Sequence, residues 1–150
     1  MGFLRQMLGD TSMVLVDTNC LIYYLEDGPG STMLEEDIFR PISEGKLSGM
    51  MSVITLLEVL VKPLKEGRND VVEDYLETLT TYPNLIIMGV GNSLVVRAAQ
   101  IRAKHGLKTP DAIIAATALE GKADVLLTND PAFKALEPAI RVLLLSDIMS

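Results

Sequence analysis

The sequence predicts an α/β fold in which a parallel sheet is covered by helices on both faces. Three observations predict it. Short apolar runs, several rich in β-branched residues, recur along the chain as strands buried on both sides require. Segments with helical spacing of apolar residues separate them. The chain has 150 residues, 49% of them hydrophobic and 22% charged, which is enough for one globular domain with its own core. Strand and helix in alternation imply parallel strands joined by crossover helices. No internal repeat, low-complexity tract or linker divides the chain. It therefore reads as a single domain over 1–150, with the motif-bearing core at about 13–145.

Met13-Val14-Leu15-Val16 is the first strand, ended by Asp17. Thr18 to Leu25 carries Leu21, Ile22 and Leu25 at helical spacing. Asp27-Gly28-Pro29-Gly30 is loop chemistry, after which Ser31 is expected to cap a helix toward Ile42 that Pro41 bends or ends. Lys46 to Met51 is a short second strand. Ser52 then caps a helix reaching about Lys65, with Leu56, Leu57, Leu60 and Val61 as its expected apolar face and Pro63 near its end. Asp70 to Tyr82 is amphipathic, with Val71, Val72, Tyr75, Leu76 and Leu79 forming one stripe, and Pro83 stops it. Leu85 to Met88 reads as another buried strand. Ser93 to His105 is a helix closed by Gly106 at the position after its end. Thr109-Pro110-Asp111 opens the next, with Thr109 as cap, Pro110 in the first helical position and an acid in the first turn; that helix ends at Gly121. Val125-Leu126-Leu127 is a strand, Pro131 to Leu136 a short helix, and Ile140 to Leu145 the last strand.

Composition narrows the chemistry. Thirteen Lys and Arg against twenty Asp and Glu give a net charge of −7, which argues against a general nucleic-acid coat or an anionic-membrane binder. A single cysteine, Cys20, excludes an intrachain disulfide framework and a thiolate zinc cage. A single histidine, His105, excludes a site built on two imidazoles, and its place at a helix end suits a dipole-complementing surface role. No apolar run approaches the roughly 18 residues of a membrane span, and the longest, Val53 to Val61, is interrupted by Glu58. Met1 to Thr11 does not read as a signal peptide, and Gln6 stands where a Met1-Gly2 myristoylation motif needs Ser or Thr. The expectation is a cytoplasmic protein whose chemistry runs on carboxylates and hydroxyls.

In an open parallel sheet, ligands bind outside the carboxyl ends of the strands. Asp17 directly follows the first strand, and Asp130 closes Thr128-Asn129-Asp130 after Val125–Leu127. Asp111 lies in the first turn of a helix, and Glu58 stands among leucines and valines. Each acid also has an ordinary structural account. Asp17 could cap the helix from Thr18, Asp111 could complement its helix dipole, Asp130 could make a turn before Pro131, and Glu58 could face solvent or pair with a base. As a set, four acids without a histidine or cysteine cluster fit a hard metal such as Mg²⁺ or Mn²⁺, which prefers oxygen ligands and can activate water or steady charge on a phosphate.

Four segments then carry a family resemblance. They are Val14-Leu15-Val16-Asp17-Thr18-Asn19, Ser52-Val53-Ile54-Thr55-Leu56-Leu57-Glu58, Thr109-Pro110-Asp111-Ala112 and Leu127-Thr128-Asn129-Asp130-Pro131-Ala132-Phe133. In this order and spacing the chain, from about Val14 to Leu145, resembles a PIN domain, and within that family the VapC-type toxin ribonucleases. The resemblance implies a three-layer α/β/α sandwich with a central parallel sheet and divalent-metal-dependent (Mg²⁺ or Mn²⁺) cleavage of RNA. It implies that Asp17, Glu58, Asp111 and Asp130 form the acidic metal pocket, with Asn19 and Thr128 as supporting polar residues. Where some relatives carry Asp this chain has Asn129, which removes one charge and weighs against a second bound metal. A homodimer and a small antitoxin partner are implied as well. Arg97, Arg102, Lys104 and Lys108, just ahead of Asp111, are candidates for contact with RNA phosphates; Lys62, Lys65 and Arg68 form a second basic group after Glu58. Solvated helix faces are the plain alternative for both.

Two other readings compete. A phosphorylatable receiver-like module also uses acids at strand ends with Mg²⁺, but the first strand is not followed by adjacent acids and no suitably placed Lys follows the last. A non-catalytic PIN-like regulatory module would bind a protein partner without cutting, which the complete set of four acids argues against.

Overall fold

A computed structural model of the chain describes residues 2–149. Met1, on which the myristoylation reading rests, lies outside them. The elements run α1 (Phe3–Leu8), β1 (Met13–Val16), α2 (Thr18–Leu25), α3 (Ser31–Leu34), a π-helical turn (Glu35–Phe39), α4 (Arg40–Ser43), β2 (Ser48–Ser52) and α5 (Val53–Lys65). There follow α6 (Asn69–Thr80), β3 (Leu85–Met88), α7 (Asn92–His105), α8 (Thr109–Glu120), β4 (Val125–Thr128), a 3₁₀ turn (Pro131–Leu136), β5 (Arg141–Leu144) and α9 (Leu145–Met149). The five strands form one sheet in the order β3-β2-β1-β4-β5, every pair parallel.

Period-2 alternation divides the core between the two faces of this sheet. Val14, Val16, Met51, Val125 and Leu127 pack with α1, α2, the α3–α4 segment and residues of α5, α6 and α9. Leu15, Met50, Leu126 and Val142 pack on the other side with α7, α8 and the 3₁₀ turn. The result is the expected three-layer α/β/α sandwich. Gly49 belongs to its packing: a Cβ there would lie 2.6 Å from Ile42 Cδ1 and 3.0 Å from Leu85 Cδ1, so β2, β3 and α4 close on each other only over a bare backbone. Among the described residues, no helix is long and apolar enough to cross a membrane.

Several local expectations change. Pro41 does not end its helix. The π turn just before it widens the hydrogen-bond ladder, and the buried proline sits near the start of α4, where its missing N–H costs little. Gly30, in the left-handed conformation, precedes this segment, so Ser31 is its first residue and not its cap. Lys108 precedes α8 in the same way, which moves Pro110 to the second position. β2 starts at Ser48 rather than Lys46. β3 is not fully buried, because it is an edge strand and Ile86 is 48% exposed. The face of α5 is also rotated from the expected one: Thr55, Val59 and Pro63 are buried, while Leu57 and Val61 are 57% and 42% exposed. That helix is apolar around much of its circumference, so spacing alone does not select the side that meets α2 and α6. Two elements escape the sequence reading, α1 and α9, each too short to show a period.

Candidate active site

The chain winds outward from β1 through β2 to β3, then returns to lay β4 on the opposite side of β1. The strand order reverses between β1 and β4, and in open parallel sheets such a switch point is where a crevice forms at the carboxyl ends of the strands. Asp17 enters it from β1 and Asp130 from the turn after β4. Glu58 comes from α5, and Asp111 from the first turn of α8.

Asp17 is held from three sides. Its N–H donates to the Leu127 carbonyl at 2.9 Å, extending the β1–β4 ladder by one bond. Its Oδ1 accepts from the Thr18 N–H at 2.8 Å as the cap of α2, and its Oδ2 accepts from the Thr128 hydroxyl at 2.7 Å. The capping account of Asp17 is therefore true as far as it goes, but it uses one oxygen of a carboxylate that is only 4% exposed. Thr128 Oγ1 in turn accepts from the Asp130 N–H at 3.0 Å, linking the two acids through one hydroxyl. Asp130 Oδ1 caps the 3₁₀ turn by accepting from the Ala132 N–H at 2.9 Å. Glu58 Oε1 accepts from the Thr18 hydroxyl at 2.7 Å, and that hydroxyl also meets Thr55 Oγ1 at 2.9 Å.

The four acids feel one another. Burial pushes the Asp17 carboxyl up to about 6; the Thr128 hydroxyl and Thr18 N–H hold it down, and the charges of Asp111 and Glu58 raise it. Asp111 is also raised, first by burial, then by Asp130 and Glu58, with the Lys108 ammonium opposing. These couplings put the four carboxyls within electrostatic reach of one another: Asp17 with Asp111 and Glu58, and Asp111 with Asp130 and Glu58. Cys20, beside it in the core, is inert: burial, with the Asp17 charge second, pushes its thiol far above the normal range.

The supporting residues divide. Thr128 touches Asp17 directly. Asn19 Oδ1 accepts from the Asn129 N–H at 3.1 Å and so ties the β1 end to the β4 end. Asn129 directs its own Oδ1 to the Ser146 N–H at 2.9 Å, at the start of α9, and its Nδ2 toward the Tyr23 hydroxyl at 3.5 Å. Its amide thus serves the frame around the crevice. The basic residues divide too. Arg97 pairs with Glu120 at 3.6 Å, at the far end of α8 from Asp111. Arg102 Nε donates to the Leu107 carbonyl at 2.8 Å across the α7–α8 turn. Lys104 lies with Arg97 and His105 along the α7 side facing Leu119 and Leu136, while Lys108 is coupled to Asp111. In the second basic group, Lys62 pairs with Glu26 and Arg68 with Asp70, each at 3.1 Å.

Thr18 and Thr55 were not singled out by sequence. The available signal was a threonine in the apolar run Val53–Leu57: a buried hydroxyl needs a partner, and Thr55 lies one turn before Glu58 on the same helix face.

Residues 14–137 match the PIN domain family. The chain belongs to that family. PIN domain proteins are generally nucleases, and the acids brought to the crevice here lie within or at the edges of the four segments that carried the resemblance. Solved structures agree on the fold. A toxin–antitoxin complex from Klebsiella pneumoniae is 28% identical, with 87% of this chain and 95% of that one covered at a TM-score of 0.63. VapBC2 from Rickettsia felis, bound to a DNA fragment from its promoter, is 19% identical, with 88% and 98% covered and a TM-score of 0.67. DNA-bound VapBC from Salmonella typhimurium is 22% identical, with 88% and 97% covered at 0.64. No curated protein matches the sequence.

The PIN acids suit a divalent metal by chemistry: their donors are all carboxylate oxygens, and burial first, then the charges of neighbouring acids, raise Asp17 and Asp111. Among the described residues, no three His, Cys, Asp or Glu side chains stand in position to hold an ion directly. Mg²⁺ commonly keeps several waters and takes only one or two carboxylates, so this spacing fits a partly water-mediated shell.

Proposed function

We propose that this PIN domain protein is a Mg²⁺- or Mn²⁺-dependent ribonuclease that hydrolyses RNA phosphodiester bonds. The observation that carries the reading is the electrostatic coupling of four carboxylates, from four separate segments, at the reversal point of the sheet. Asp17, Asp111 and Asp130 would hold the metal, directly or through water. When bound, the ion supplies positive charge for the phosphate oxygens and lowers the pKa of a coordinated water. Glu58 lies beside that position as a further ligand or as the base that orients the attacking water and accepts its proton. Thr128 keeps Asp17 and Asp130 in register. Lys108, next to Asp111, is placed to meet a substrate phosphate, a contact that positions RNA without reading its sequence.

The protein is further read as the cytoplasmic toxin of a toxin–antitoxin pair, acting as a homodimer and restrained by a small antitoxin. Support comes from the toxin–antitoxin complexes among its structural neighbours. Val53, Leu57, Val61 and Leu64 also stand exposed in a row on α5, a surface of the kind that marks protein contacts. The deciding experiment is cleavage of a mixed single-stranded and structured RNA panel with Mg²⁺, with Mn²⁺ and with chelator. Metal-dependent cleavage that Asp17→Asn and Glu58→Gln abolish, with circular dichroism unchanged, is expected. A well-folded Asp17→Asn protein with wild-type rates refutes the site, and an inert wild type returns the chain to the partner-binding reading.

A further inference from the structure

Thr18 joins the first two acids by two different groups. Its backbone N–H donates to Asp17 Oδ1 at 2.8 Å, and its hydroxyl donates to Glu58 Oε1 at 2.7 Å. The same hydroxyl lies 2.9 Å from Thr55 Oγ1. A threonine hydroxyl has one proton, and that of Thr18 is given to Glu58; the bond between the threonines must therefore be donated by Thr55. The direction is fixed: Thr55 to Thr18 to Glu58. Thr55 is fully buried and Thr18 nearly so, whereas Glu58 is half-buried at the crevice rim, where its flexible side chain has solvent as an alternative.

We propose that Thr55 and Thr18 form a hydroxyl relay that positions the Glu58 carboxylate in the crevice. The first hydroxyl polarises the second, and the second ties a long, mobile side chain on α5 to the rigid start of α2. Both are positioning residues: neither needs to touch substrate or metal. One oxygen of Glu58 is occupied by the relay and the other is left for water or an ion. The consequence for catalysis rests on the nuclease reading above, while the positioning itself does not.

The test therefore has two arms. The first uses metal-free protein labelled with ¹³C at glutamate, with the Glu58 signal assigned from Glu58→Gln. Relaxation of that signal should show an ordered carboxylate in the wild type and a mobile one in Thr18→Val. Thr55→Val should fall between, and Thr18→Ser should recover the order. The second arm measures Mn²⁺ affinity by calorimetry and RNA cleavage rate on the same proteins. A loss of about 10–100-fold is expected for Thr18→Val, the range typical of residues that support metal ligands. Thr18→Ser should restore most of it. Wild-type order at Glu58 in folded Thr18→Val, or a serine variant as impaired as valine, overturns the relay. Should Thr18→Val fail to fold, Thr55→Val applies the same criteria through the upstream donor. A wild type inert toward both Mn²⁺ and RNA overturns the nuclease reading instead, and the Glu58 signal alone then judges the relay.

Discussion

Replacing Asp17 by Asn should stabilise the metal-free protein at pH 7.5 and leave it about as stable as the wild type at pH 4.5. Asp17 titrates at about 6 in the fold against 3.8 as a free carboxyl, a difference that corresponds to about 3 kcal/mol. Because the folded value is raised, the favourable contribution is complete below pH 3.8 and is lost as pH rises through about 6. At pH 7.5 the native state therefore holds a buried charge that the unfolded chain hydrates, and Asn removes that burden. Asn also has a cost. Its oxygen can still accept from Thr18, but its NH₂ would face the Thr128 hydroxyl, whose proton loses its acceptor; a buried donor left so costs about 1 kcal/mol or somewhat more. The net expectation is a gain of about 2 kcal/mol at pH 7.5 and about no change at pH 4.5, where the native carboxyl is protonated but the unfolded one is mostly ionised, a loss of about 1 kcal/mol in the wild type that offsets the cost of Asn. For a domain of this size that is a rise of roughly 4–8 °C in Tm at the higher pH and little change at the lower. Thermal melts of both proteins in chelator, at matched ionic strength, read the difference directly, and shifts from other titrating groups largely cancel in the comparison. A mutant destabilised equally at both pH values refutes the reasoning, since Asp17 would then act only as the cap of α2.

Asp111→Asn should raise the metal-free Tm slightly, because burial and the neighbouring acids disfavour its charge in the fold while solvent screens part of the effect, and should shrink the stabilisation by Mg²⁺. At ten times its Kd the ion contributes about 1.4 kcal/mol to the wild type; a lower metal-free Tm with an undiminished Mg²⁺ response takes Asp111 out of the pocket. Lys108→Glu should weaken RNA binding and flatten its salt dependence, while Arg97→Glu, already engaged with Glu120, leaves the slope unchanged; filter binding across a salt series separates them. Gly49→Ala should cost about 1–3 kcal/mol in denaturant melts, because its Cβ meets Ile42 and Leu85 below contact distance. A neutral result there would show that α4 shifts to make room.

Much of this protein is determined by its sequence alone. The strands at Val14–Val16, Leu85–Met88 and Val125–Leu127 are short apolar runs bounded by Asp, Pro, Gly or Asn, and local chemistry is enough to define such segments. The alternation of strands with helices then leaves a parallel sheet as the way to bury them. The four acidic segments were likewise legible: Asp17, Asp111 and Asp130 sit at element boundaries whose position the neighbouring residues set, and Glu58, inside α5, is a charge among leucines and valines. What the chain could not show by itself depends on contacts between distant segments. The exposed side of α5 was hidden because apolar residues surround much of that helix, and only its neighbours decide which of them meet water. The exposure of Ile86 depends on strand order, which places β3 at an edge. Arg97 and Arg102 read as a basic patch until folding brought Glu120 and the Leu107 carbonyl to them. The partnership of Thr18, Thr55 and Glu58 joins residues 37 and 40 positions apart. A hydroxyl carries no periodicity and no charge, so its role becomes visible only when packing removes water and leaves it one partner.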